Sequence, residues 1–161
     1  MITGLISVQD FLRGQRLHRR PIAIGSHVFV AVLMVFGAAA LFFAPSPHLG
    51  LACLGAGIGG LIGELVTSQV YLPRKVRRLH AQQKDLASPF SYEWDEGHLT
   101  ARGASGSARR PWSNYVKLKE DEHLFLLYHA DNLFEMFPKS WFPTPEAMAE
   151  FRRLAEAAGK G

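Results

Sequence analysis

PIAIGSHVFVAVLMVFGAAALFFAPSPHLGLACLGAGIGGLIG, residues 21–63, contains no Asp, Glu, Lys or Arg. Soluble folds have no use for so long an uncharged run, and this one divides in two. Residues 22–43 would span about 33 Å as a helix, enough for a hydrocarbon core of about 30 Å. Residues 51–71 reach about 31 Å by the same count. Between them APSPHLG, residues 44–50, supplies prolines and a glycine that end helices and suit a tight connection. The stretch reads as a two-helix transmembrane hairpin.

The flanks orient it. Arg13, Arg16, Arg19 and Arg20 precede the first span, Arg74, Lys75, Arg77 and Arg78 follow the second, and the loop has neither Lys nor Arg. The positive-inside rule then puts both termini in the cytoplasm, with the hairpin a multi-pass element of the cell (inner) membrane. A cleaved signal peptide competes with this reading, since Arg19-Arg20 and Ala38-Ala39-Ala40 resemble its ends. Its apolar core would be about 7–15 residues, shorter than this run, and would not be followed at once by a second span. A buried soluble hairpin fails differently, because the remaining chain has too few apolar elements to surround two helices that are apolar on every face.

A net charge of +4 and a pI near 9.5 would suit nucleic acid. Divided by region, residues 1–21 carry net +3, residues 73–84 net +5 and residues 85–161 net −3. The basic excess flanks the spans, where each cation near anionic lipid is worth about 1 kcal/mol. Anionic headgroups are therefore the expected partner, and nucleic acid is not. Cys53, the single cysteine, excludes an intramolecular disulfide and indicates no oxidising compartment.

Residues 1–21 form a basic segment that predicts a short interfacial helix capped by Asp10, with Phe11, Leu12 and Leu17 at helical spacing. In the second span Gly55, Gly59 and Gly63 recur every four residues and share a face on which helices approach closely. Packing inside the hairpin and homo-oligomerisation both use such a face. Glu64 is the one formal charge in the spans. At mid-bilayer it would cost about 3 kcal/mol, so it faces protein or reaches the interface. Counted from a turn near residue 47, His27 and Glu64 differ in depth by about 4.5 Å, a gap that two long side chains bridge. They are a candidate intramembrane polar pair; the alternative is that Glu64 snorkels or stays protonated.

Residues 73–88 read as a basic connector with a short helix. From Phe90 the apolar period changes to two, predicting strands over 90–95, 99–102, 112–118, 124–128 and 133–137, with GASGSARR at 103–110 a loop. Five successive strands make an antiparallel meander. Thr144, Pro145 and Glu146 start a closing helix that Gly159 ends, with Met148, Phe151, Leu154, Ala155 and Ala158 on one face. The expected fold class is α+β: a transmembrane hairpin over residues 22–72 and a cytosolic β domain over residues 89–161, capped by its C-terminal helix.

Three groups of residues resemble the YcxB-like family. Asp10-Phe11 through Arg16-Leu17-His18-Arg19-Arg20 precede the two spans; Trp112-Ser113 follows them; and Phe137-Pro138-Lys139-Ser140-Trp141-Phe142 leads to Glu150-Phe151-Arg152. The resemblance implies a membrane protein whose domain is similar to the bacterial pleckstrin-homology-like (PH-like) type, and brings no catalytic assignment. On their spacing, Trp112 and Phe151 belong to the core, and Pro138 and Phe142 fix the strand-to-helix turn. Lys139 with Arg109 and Arg110 is the candidate binding surface, two forks and a point charge suited to lipid phosphate.

Seven histidines are scattered without paired ligand spacing, and there is no Walker loop, GxSxG or strand-to-helix GxGxxG. Asp121, His123, His129 and Asp131 flank turns, where solvated polar residues are expected. No enzyme, metal or cofactor is predicted. The expectation is a binding module for a protein partner or headgroup, and the alternative is a small oligomeric proton-coupled transporter built on Glu64 and His27.

Overall fold

The structure, a computed structural model, describes residues 1–43, 45, 47–82 and 88–159. The predicted loop at 44–50 and connector at 73–88 thus lie partly outside the described residues, at 44, 46 and 83–87. The chain divides into two units, one of residues 19–75 and one assembled from residues 1–18 and 76–161.

The second unit is α+β, with seven strands in two antiparallel sheets among the described residues. One sheet has the order β1-β2-β3-β4, from Ile2–Gly4, Phe90–Trp94, His98–Gly103 and Gly106–Pro111; the other is β5-β6-β7, from Lys117–Glu120, Leu124–Ala130 and Leu133–Pro138. The five-strand meander is corrected twice. Residues 2–4 pair with β2, Ile2 opposite Tyr92, so residues 1–18 of the predicted basic N-terminal segment belong to the β domain. GASGSARR is a hairpin edge, β4, and its small residues line the inner face beside β3. Trp112 is buried but starts a 3-10 turn, Trp112–Asn114, where its Nε1 donates to the Asp95 carbonyl at 2.8 Å.

Helix α1, Val8–Phe43, starts with a capping box in place of the predicted Asp10 cap. Ser7 Oγ accepts from the Asp10 N–H at 3.0 Å, and Asp10 Oδ2 accepts from the Ser7 N–H at 3.2 Å. The first turns of α1 pack on the outer face of β6 and β7: a Cβ added at Gly14 would lie 2.5 Å from Met136 Sδ, and His18 Nδ1 lies 3.0 Å from the Tyr128 hydroxyl. That cover explains why Leu124, Phe125, Leu126, Leu127 and Tyr128 are all buried, those on both faces of β6 alike. Between the sheets, Phe151 of the closing helix α4 (Pro145–Ala158) is fully buried against Phe137, Phe142 and Trp94, with ring centroids 4.9, 5.4 and 5.3 Å away. Pro138 and Phe142 are buried at the bend that feeds α4, and Thr144 caps it by accepting from the Ala147 N–H at 3.2 Å.

In the hairpin unit α1 continues without a break through Pro21. It is followed by α2, His48–Val66, a π turn, Thr67–Tyr71, and α3, Leu72–Gln82, whose later part from Val76 belongs to the β unit. Helix α3 contains Pro73 in its first turn. A proline ring collides with the carbonyl four residues back, and the wider turn just before it, in which the Leu72 N–H bonds the Thr67 carbonyl five back, makes room.

The packing face of α2 differs from the predicted one. Gly50, Gly57 and Gly60 face α1, where added Cβ atoms would lie 2.8 Å from Leu41, 2.6 Å from Met34 and 3.1 Å from Val30. Among the described residues nothing beyond the helix's own backbone lies within 4 Å of a Cβ added at Gly55, Gly59 or Gly63. Two glycine stripes run along this helix, and their spacing alone does not say which one meets α1. Gly57→Ile is expected to overpack the pair at a cost of about 1–3 kcal/mol, lowering the thermal unfolding midpoint in detergent. Gly59→Ile should leave that midpoint in place; equal losses would refute the assignment.

Candidate functional site

The β3–β4 hairpin shapes the most site-like feature of the β unit. Directly opposed residues of antiparallel strands share a face, and the register sets Ala101 against Ala108 and Gly103 against Gly106. This face continues through Tyr92 and Phe90, so four positions that could have filled the space between the sheets carry a methyl group or nothing. Gly106 is also needed for its backbone, since its φ of +137° is rarely open to other residues. The result is a groove of about 970 Å³, bounded across from β4 by Leu133, Phe134, Glu135 and Met136 of β7.

A polar cluster closes one end. Arg110, on the inner face of β4, donates from Nη1 to Glu135 Oε1 at 2.6 Å, and His129 Nε2 donates to the same oxygen at 2.9 Å. The Glu135 side chain is 17% exposed, and its Oε2 is buried with no hydrogen-bond partner among the described residues. Tyr115 packs on the His129 ring at 4.4 Å. Burial, then the Glu135 charge, pushes the Tyr115 hydroxyl up to about 12, against the pull of Arg110, and moves Tyr92 upward as well. Both phenols therefore stay protonated at neutral pH.

The predicted binding cations do not form one surface. Arg109 lies on the opposite face from Arg110 and donates to Asp95 Oδ2 at 3.1 Å. Lys139 donates to Glu120 Oε2 at 2.9 Å and sits 4.7 Å from the centre of the Phe125 ring. Each cation thus has its own carboxylate. His27 and Glu64, by contrast, do meet: His27 Nδ1 is 3.3 Å from Glu64 Oε1, and Ser26 Oγ donates to Glu64 Oε2 at 2.8 Å. The hairpin register of Leu41 with Gly50, Met34 with Gly57 and Val30 with Gly60 leads to His27 level with Glu64, without the expected offset. His27 Nδ1 also lies 2.7 Å from the Ala23 carbonyl, an acceptor, so that nitrogen carries a proton.

Glu135, His129, Tyr92 and Tyr115 were not among the sequence-predicted site residues. A signal for Glu135 was present: on β7 it alternates in phase with Phe137, so a carboxylate stands on a core-facing row.

Residues 94–155, from the end of β2 to late in α4, match the family model described as YcxB-like protein. No curated protein and no solved structure matches the chain.

The cations on Glu120 allow a test of this geometry. Arg152 joins Lys139 there, its Nε 3.0 Å from Oε1 and its Nη2 2.9 Å from Oε2. Burial of the carboxyl opposes ionisation, but hydrogen bonds from Arg152 and Lys139 outweigh it and hold Glu120 below its ordinary value. A depressed carboxylate stabilises the fold at neutral pH, and that contribution fades as the pH falls below about 4.3 towards the folded-state value. Glu120→Gln should therefore lower the denaturation midpoint at pH 7 and converge on wild type in acid. A deficit that persists unchanged in acid would refute the ion-pair account.

Proposed function

With residues 94–155 a YcxB-like domain, we propose that this is a two-pass integral membrane protein, its hairpin anchoring a PH-like module at the cytoplasmic face. The module binds a partner in the groove beside Glu135. Support for the anchor is the surface of the two long helices, Val8–Phe43 and His48–Gln82, whose apolar windows are only 17% and 11% buried. Phe29, Phe36, Phe42 and Phe43 stand exposed there, which lipid accepts and water does not. The basic flanks favour cytoplasmic termini and anionic lipid. A four-stranded sheet against a three-stranded one, closed by a C-terminal helix, supports the PH-like reading.

The groove carries the binding reading. It is a preformed concavity with apolar walls and a few convergent polar groups. Those groups suit holding a ligand rather than activating a nucleophile, since the carboxylate already receives two donors and the phenols stay protonated. The test places a photo-crosslinking residue at Leu133, on the groove rim, in the full chain in native membranes. A discrete adduct should form and should vanish when Ala108→Trp fills the groove; its mass separates a protein partner from a lipid. Identical labelling in Ala108→Trp would end this reading.

The Ser26, His27 and Glu64 contact favours a second reading, a proton-coupled site within the bilayer. In liposomes holding the full chain, Glu64→Gln should then abolish a proton flux that wild type shows. Wild-type liposomes no leakier than empty ones would exclude it.

A further inference from the structure

Resting on the reading of the groove as a binding site, we propose that its occupant is an extended peptide segment whose lysine or arginine side chain closes on Glu135. The cations beside the groove argue against an anionic ligand. Arg102 holds Glu93 at 3.1 Å, and Arg110 holds Glu135 at 2.6 Å. A phosphate or carboxylate entering there would meet cations already paired, and at Arg110 it would lie against the Glu135 charge. Glu135 itself offers the opposite chemistry. Both of its donors reach Oε1, while Oε2 is buried without a partner among the described residues. A buried acceptor left in this state is unfavourable, more so when charged, and a further donor relieves it. The Arg110 side chain, 41% exposed, borders the carboxylate on its solvent side.

The walls select among donors. Phe11, Phe90 and Tyr92 line the groove. Aromatic faces attract an organic cation, and they offer nothing to a hydrated metal ion that needs several oxygen ligands.

The strand edges supply the peptide. Among the described residues β4 pairs with β3 alone and β7 with β6 alone, and both strands border the groove. Each presents an outer row of backbone donors and acceptors on which an extended segment can continue the sheet. Alternate side chains of that segment would point to the inner face, where Ala101, Gly103, Gly106 and Ala108 leave room.

The test uses the full chain in detergent and blocked peptides of alternating valine and threonine with a central Lys, Ala or Glu, read by intrinsic fluorescence titration. The Lys peptide should bind at least about tenfold more tightly than the other two, the size of one charged hydrogen bond. Glu135→Gln should bring it to the level of the Ala peptide, and Ala108→Trp should remove binding altogether. Equal binding of the Lys and Ala peptides, or preference for Glu, overturns the cation assignment while leaving the groove as a site. Binding of the Lys peptide unaffected by Ala108→Trp instead sinks the groove reading. If n-butylamine alone binds as tightly as the Lys peptide, strand addition is refuted; if none of the peptides binds, the inference as a whole falls. Circular dichroism checks that Glu135→Gln folds, and the peptide substitutions decide the question if it does not.

Discussion

The pairing of β1 with β2 is the constraint on which this architecture depends. It joins residues 90 positions apart, Ile2 to Tyr92, across the whole apolar hairpin. Loop length by itself opposes such closure only weakly, since each doubling costs about 0.6 kcal/mol. The hairpin lowers the cost further, because an antiparallel helix pair returns the chain to the level at which it left, as the His27 and Glu64 contact shows. Residues 1–18 therefore complete a β domain otherwise built from residues 76–161, and they bring both a fourth strand and the helix that covers β6.

Legibility in the sequence followed the length and regularity of each element. The two long apolar helices, β2, β3, β6, β7 and α4 with its Thr144 cap announce themselves by an uncharged run, by period-two alternation or by a capping residue. β1 does not, because three residues are too few to show a period. β4 does not either: its inner face is Gly106, Ala108 and Arg110, and strands are recognised by the bulky side chains that this face omits. Only the composition of a loop was visible there. The same absence of side chains creates the groove, so the feature that hid the strand is the one that forms the site.

Charges were legible as charges but not as pairs. Arg109, Arg110 and Lys139 stand out in the sequence, whereas the carboxylates that neutralise them lie 14, 25 and 19 residues away in other strands and turns. Sheet register decides such pairings, and register depends on the opposed sheets as much as on local pattern. Glu64 and His27 were readable because two helices joined by one short connection leave a single register to count.

Phe134 ties the groove to the rest of the β unit. Its ring stacks on His18 at 5.1 Å and lies 5.1 Å from the Tyr128 ring, and the residue is also among those lining the groove. His18 is the last α1 residue of this unit, held by the Tyr128 hydroxyl at its ring and by Lys119 Nζ at its carbonyl, 3.3 Å away. A close-packed aromatic stack of this kind does not yield at one ring alone. Phe134 therefore belongs at once to the groove wall and to the stack that seats the first turns of α1 on β6 and β7, so the two are packed through one residue.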